Sequence, residues 1–145
     1  MKKLRLLTVV AVGLSAATML YLPKSAAAAQ PGPNDCQEGS TAQTCVVLIK
    51  PNSNANQPPT ITPKVAQISK DDNQEVLWKC DPNFPDCQFT VVFTNETEKP
   101  FDDRVFDNAH PKSGPPIGAK NPNKPYKYAV IVNDRGSADP QIIIK

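Results

Sequence analysis

Histidine is nearly missing from this chain: His110 is the only one in 145 residues. Methionine is almost as scarce, with Met1 and Met19 alone, and Trp78 is the only tryptophan. These shortages bound the chemistry. Nucleophilic catalysis needs a nucleophile, a base and a group to orient the base. His110 is the one candidate base, and it stands before Pro111 in a loop with no Gly-x-Ser-x-Gly elbow elsewhere in the chain. A lone loop histidine is most simply a solvated residue. Glycine-rich phosphate loops, paired carboxylates at a catalytic spacing and basic-aromatic nucleic-acid motifs are also lacking. The expectation is a protein that is not an enzyme and holds no cofactor.

Helical periodicity is absent outside the first 29 residues, and 16 prolines oppose helix throughout. Those first residues read as a secretory leader. Lys2, Lys3 and Arg5 precede an apolar run from Leu6 to Leu22, and Ala26 to Ala29 supply a small-residue cleavage site. The reading divides the chain into a signal peptide over 1–29, a flexible Pro/Gly-rich lead-in over 30–43 and one domain over 44–145. Periplasmic or secreted localisation follows, with no membrane span after cleavage. Losing Lys2, Lys3, Arg5 and Lys24 would leave 12 basic residues against 14 acidic ones, a formal charge of −2 in place of +2. A near-neutral chain without a basic block is not expected to bind nucleic acid or an anionic membrane surface.

Cysteine is present in an even number: Cys36, Cys45, Cys80 and Cys87. In an exported protein four cysteines read as two disulfides, with three connectivities open. Loop length favours Cys36–Cys45 and Cys80–Cys87. Zinc is disfavoured by these spacings.

The densest structural signal runs from Glu75 to Phe93. Val76, Trp78 and Cys80 alternate on one side of a first segment, and Cys87, Phe89, Val91 and Phe93 on one side of a second. Asp-Pro-Asn-Phe-Pro-Asp lies between them. Period-two apolar residues around turn formers predict two half-buried strands. These should hold the centre of the core. Further strands are expected at Thr44–Lys50, at Lys64–Ile68 and at Tyr126–Asn133. A last one, at Gln141–Lys145, is apolar on both faces and so buried between neighbours. Pro63 suggests an edge position for the Lys64–Ile68 strand. Phe101 to Gly118 and Asp134 to Pro140 read as irregular loops or turns. The whole is an all-β sandwich, immunoglobulin-like or similar, of about six to eight short strands.

The order of Trp78, Phe89 to Phe93, Pro100-Phe101, Tyr126 to Val132 and Asp139-Pro140-Gln141-Ile142-Ile143-Ile144 resembles small exported bacterial proteins with a cupredoxin-like β-sandwich. The resemblance spans Ile61 to Lys145 and implies a fold more than an activity. Copper is not expected, because a blue-copper site needs two His, a Cys and a weak axial Met. The loop before the last strand, Asp134 to Pro140, carries none of them.

Two surface features remain. Asp102, Asp103 and Asp107, with Asn108 and His110 nearby, form the densest group of oxygen ligands and a calcium candidate, although no EF-hand spacing is present. An acidic solvated loop explains them as well. Phe84, Phe101 and Phe106 lie in loop-like sequence, where aromatics either cap the core or form a contact surface. Asn95-Glu96-Thr97 matches the glycosylation sequon, a pattern common by chance. The expected role is a non-catalytic binding or accessory module facing an exported or envelope protein. The alternative is a calcium- or glycan-binding envelope protein that uses the 101–110 loop.

Overall fold

The computed structural model describes residues 36–37, 39–54, 56–121 and 123–145. The expected leader, 1–29, and the start of the lead-in, 30–35, lie outside the described residues. Among the described residues the chain is all β, with nine strands: β1 (Thr44–Lys50), β2 (Thr60–Thr62), β3 (Val65–Ile68), β4 (Glu75–Cys80), β5 (Phe89–Phe93), β6 (Val105–Asp107), β7 (Tyr126–Val132), β8 (Arg135–Ala138) and β9 (Gln141–Ile144). One sheet has the order β2-β1-β4. The other runs β3-β9-β7-β5-β6, with β8 also on β7. The count exceeds the expected six to eight because β2 and β6 are too short to show a period and β8 carries no apolar alternation.

Alternation sets the two layers face to face. Val76 and Trp78 of β4 point inward, as do Phe89, Val91 and Phe93 of β5. These two strands do not pair. β4 joins β1 in parallel, with Val47 opposite Trp78, whereas β5 joins β6 and β7 antiparallel. The Cys80–Cys87 loop therefore carries the chain from one layer to the other. The chain also crosses between β2 and β3, at the cis Thr62–Pro63 bond, and back between β3 and β4. As Pro63 suggests, β3 is an edge strand, and as its apolar faces suggest, β9 lies between neighbours, β3 and β7.

The core is aromatic. Trp78 stacks on Phe106 with ring centroids 4.7 Å apart, and meets Phe93, Phe101 and Tyr128 edge-on at 6.3, 6.1 and 5.9 Å. Offset and edge-to-face contacts suit the ring quadrupoles and add to the burial itself. The Trp78 indole nitrogen and the Tyr128 hydroxyl are buried there without a well-formed hydrogen bond among the described residues, though the indole N–H is near enough to the phenol to offset a little of its desolvation. Desolvation pushes the Tyr128 phenol far above its ordinary 10.0, so it stays neutral. Gln74, by contrast, is a satisfied buried polar residue. Its amide donates to the Ala42 carbonyl at 2.8 Å and accepts from Ser69 N–H at 3.0 Å, tying the entry of β1 to the exit of β3.

Both disulfides form as loop length suggests, Cys36–Cys45 and Cys80–Cys87. The expected loop over Asp134 to Pro140 is instead mostly strand. Asn133 and Asp134 take φ of 50° and 56°, the left-handed pair that closes a tight hairpin, and β8 returns along β7. Gly136, at φ 54°, follows within a register shift. A Cβ there would stand 3.0 Å from the Gln57 carbonyl oxygen.

Candidate functional site

Two of the three candidate contact aromatics are not at the surface. Phe101 is 0% and Phe106 1% exposed, and both pack on Trp78. Phe106 is the inward residue of β6, which is why a loop-like stretch carries it. Phe84 is half-buried and rests against the core, at the tip of a turn in which its N–H donates to the Asp81 carbonyl at 2.9 Å. A continuous phenylalanine contact surface is therefore not assembled.

The three aspartates are likewise kept apart in role. Asp102 is exposed and pairs with Lys99 at 3.6 Å. Asp103 is exposed, with no ion pair among the described residues. Asp107 turns its carboxylate back on its own loop, accepting Ala109 N–H at 2.9 Å and His110 N–H at 2.8 Å. Among the described residues no group of three or more His, Cys, Asp or Glu could hold a metal ion. Asp102 and Asp103 lie in the bend before β6 and Asp107 at its far end, so acidic density in sequence did not become convergence. The cysteines of the sequence reading are all in disulfides.

The His110 N–H bond holds the Asp107 carboxyl below its ordinary 3.8, and the His110 ring, 3.6 Å away, adds a smaller pull in the same direction. A lowered folded value means that the turn is favoured by ionised Asp107 above 3.8 and loses that support as pH falls through the lowered value. The Ala109 and His110 amide resonances should therefore titrate together with a midpoint below 3.8, and Asp107→Asn should abolish the step. A midpoint at or above 3.8 would contradict this assignment.

What residues 103–113 do build is an open edge. The Arg104 carbonyl accepts from Phe93 N–H at 2.9 Å, and Val91 pairs with Phe106. By antiparallel alternation the N–H and C=O of Val105, between them, point away from β5. Neither has a hydrogen-bond partner among the described residues. The Val105 side chain is 55% exposed. Beyond Asp107 the edge is closed by its N–H bond to the His110 carbonyl at 3.3 Å. Asn108 then stands in for a strand residue, its side chain accepting Phe89 N–H at 2.7 Å and donating to the Cys87 carbonyl at 3.1 Å.

The chain next crosses to the other sheet. Trp78 N–H donates to Pro111 C=O at 3.0 Å and Ser113 N–H to Val76 C=O at 2.9 Å, so Lys112 bridges Leu77 along β4. Ser113 is buried and accepts Val76 N–H on its hydroxyl at 2.8 Å. The Lys112 peptide groups face away from β4 in this register. Between β6 and this strap lies a groove of about 530 Å³. Asp103, Val105 and Asp107 line one wall, and Leu77, Pro111 and Lys112 the other.

No protein-family model matches the chain, and searches of curated proteins and of solved structures return no match. The groove must be read from its own chemistry. Sequence reasoning did not reach Val105, Lys112 or Ser113. An exposed valine between acidic residues was the one available signal, and the facing wall is set by a long-range bridge that no local pattern reveals. Among the described residues no helix is long and apolar enough to cross a membrane.

Proposed function

We propose that this is an exported, non-catalytic binding module, with a cupredoxin-like form of sandwich, that acts by receiving part of another exported or envelope protein at its open edge. The observation that carries the reading is the unbonded Val105 peptide beside an exposed apolar side chain, on a sheet otherwise paired at that end. An unpaired edge is a template for an added strand, and peptide-binding domains use it in this way. Two disulfides suit an oxidising compartment and support export.

Native mass spectrometry of the protein recovered from its own compartment tests both halves. A mass that begins near Gln30, two disulfides and a retained protein or peptide is the expected spectrum. A retained ion or glycan in place of a polypeptide would overturn the contact reading. A full-length mass would overturn the leader.

A further inference from the structure

We infer that the β6 groove selects an extended segment of another protein in which one apolar residue lies between two basic ones, in the pattern basic-x-apolar-x-basic. This rests on the binding-module reading above and names the chemistry of its partner.

The pattern follows from strand parity. Asp103, Val105 and Asp107 are spaced by two and all line the groove, Val105 and Asp107 from β6 and Asp103 from the bend just before it. A strand added at Val105 places one residue opposite Val105 and residues two away opposite Asp103 and Asp107. The position opposite Val105 prolongs an apolar row that already crosses the sheet, since Val105 stands opposite Val92 and Val92 opposite Ala129. An apolar side chain there covers surface that is otherwise half exposed. The flanking positions meet the exposed Asp103 carboxylate on one side and, on the other, Asp107, whose Oδ1 is used by its own turn and whose Oδ2 accepts no hydrogen bond among the described residues.

Arg104 and the nearby lysines are directed away from those carboxylates, and the His110 ring approaches only Asp107, at 3.6 Å. Arg104 spends its guanidinium on the Phe93 carbonyl at 3.2 and 3.0 Å, and Lys112 is held by Glu75 at 2.6 Å. Lys99 is held at Asp102. Asp103 has no ion pair among the described residues, and Asp107 is kept ionised by its amide bonds. Basic residues on the incoming strand are complementary to this edge.

The same charges disfavour a second copy of this chain. Antiparallel self-pairing centred on Val105 would set Asp103 of one copy against Asp107 of the other. Like charges directly opposite each other destabilise a strand pair, and edge charges are a common guard against such association. The edge is thus barred to itself and open to a basic strand.

The test uses the isotope-labelled oxidised protein and two capped peptides, Lys-Thr-Val-Thr-Lys and Glu-Thr-Val-Thr-Glu. The basic peptide should shift the Val105 amide resonance and slow its hydrogen exchange, while the acidic one should do neither. Added salt should weaken the effect. Val105→Pro removes the edge N–H at a position where an edge strand tolerates proline, and should abolish binding. Asp103→Lys, at an exposed site, should weaken the basic peptide about fivefold or more, as for loss of one exposed ion pair with repulsion added. The Asp103→Lys result stands even if Val105→Pro fails to fold. Equal binding of both peptides, no change at Val105, or a dimer that protects Val105 would overturn the inference. A polypeptide retained in native mass spectrometry together with such a result would leave the binding module standing and remove only this edge chemistry. Absence of any retained polypeptide would remove the broader reading.

Discussion

Trp78→Ala is expected to cost about 3–5 kcal/mol of folding free energy, the usual range for deleting a fully buried large aromatic. Trp78 is 0% exposed and touches four other rings, from β5, β6, β7 and the segment at Phe101. Three of the rings around the vacancy are fixed to the sheet opposite β4, on β5, β6 and β7, so they cannot close over it without moving a strand. Domains of this size are stable by roughly 5–15 kcal/mol, so a large share of the total would go. Urea unfolding followed by far-ultraviolet circular dichroism measures the effect, since the substitution removes the only tryptophan signal. A loss under about 1 kcal/mol would show that the aromatic cluster is not the centre of the core.

The second large effect separates the two disulfides. Loop-closure entropy assigns each about 2.5–3 kcal/mol, given sequence separations of 9 and 7. Their surroundings differ. Cys36 and Cys45 are 1% and 0% exposed, whereas Cys80 is half-buried at the end of β4. Thiol–disulfide exchange requires a reductant to reach a sulfur. Brief reduction under native conditions, followed by alkylation and peptide mapping, should label Cys80 and Cys87 first and leave Cys36 and Cys45 bridged. Replacing both Cys36 and Cys45 by alanine should cost more than replacing both Cys80 and Cys87, because two fully buried core side chains shrink there against one, Cys87, in the other pair. The reverse order in either experiment would contradict this.

Local patterning made much of the architecture legible. The Thr44–Lys50 strand is present over those residues, and the apolar run Ile142-Ile143-Ile144 does lie between two strands. Such runs carry their own period, and a period survives without knowledge of neighbours. β8 was not legible, because Arg135-Gly136-Ser137-Ala138 has no apolar alternation and is strand only by following β7. β6 offers one inward side chain, Phe106, too little to show a period. The assignment of β4 and β5 to opposite layers was also hidden. A six-residue turn with a disulfide suits a hairpin and a crossing alike, and only the parallel partner β1, 31 residues upstream at Thr44 and Glu75, decides between them. The candidate site suffered most. Aromatic content marked Phe101 and Phe106 correctly as important, but their surface role depended on facing, and facing is set by β6.

The partnership of β3 with β9 governs when the protein can finish folding. Val65 pairs with Gln141, and Ile68 with Ile144, so β3 has no sheet neighbour on that side until the last strand exists. β9 in turn pairs with only the first two residues of β7. A ribosome delivers these strands in chain order, so β3 cannot be locked in place until β9, more than 70 residues later, has been made. Pairings this distant close slowly, on the scale of milliseconds to seconds for comparable β topologies. Until then Ala66 and Ile68 of β3 lack the Ile142 and Ile144 neighbours beside which they are buried, so the last pairing also completes this end of the core.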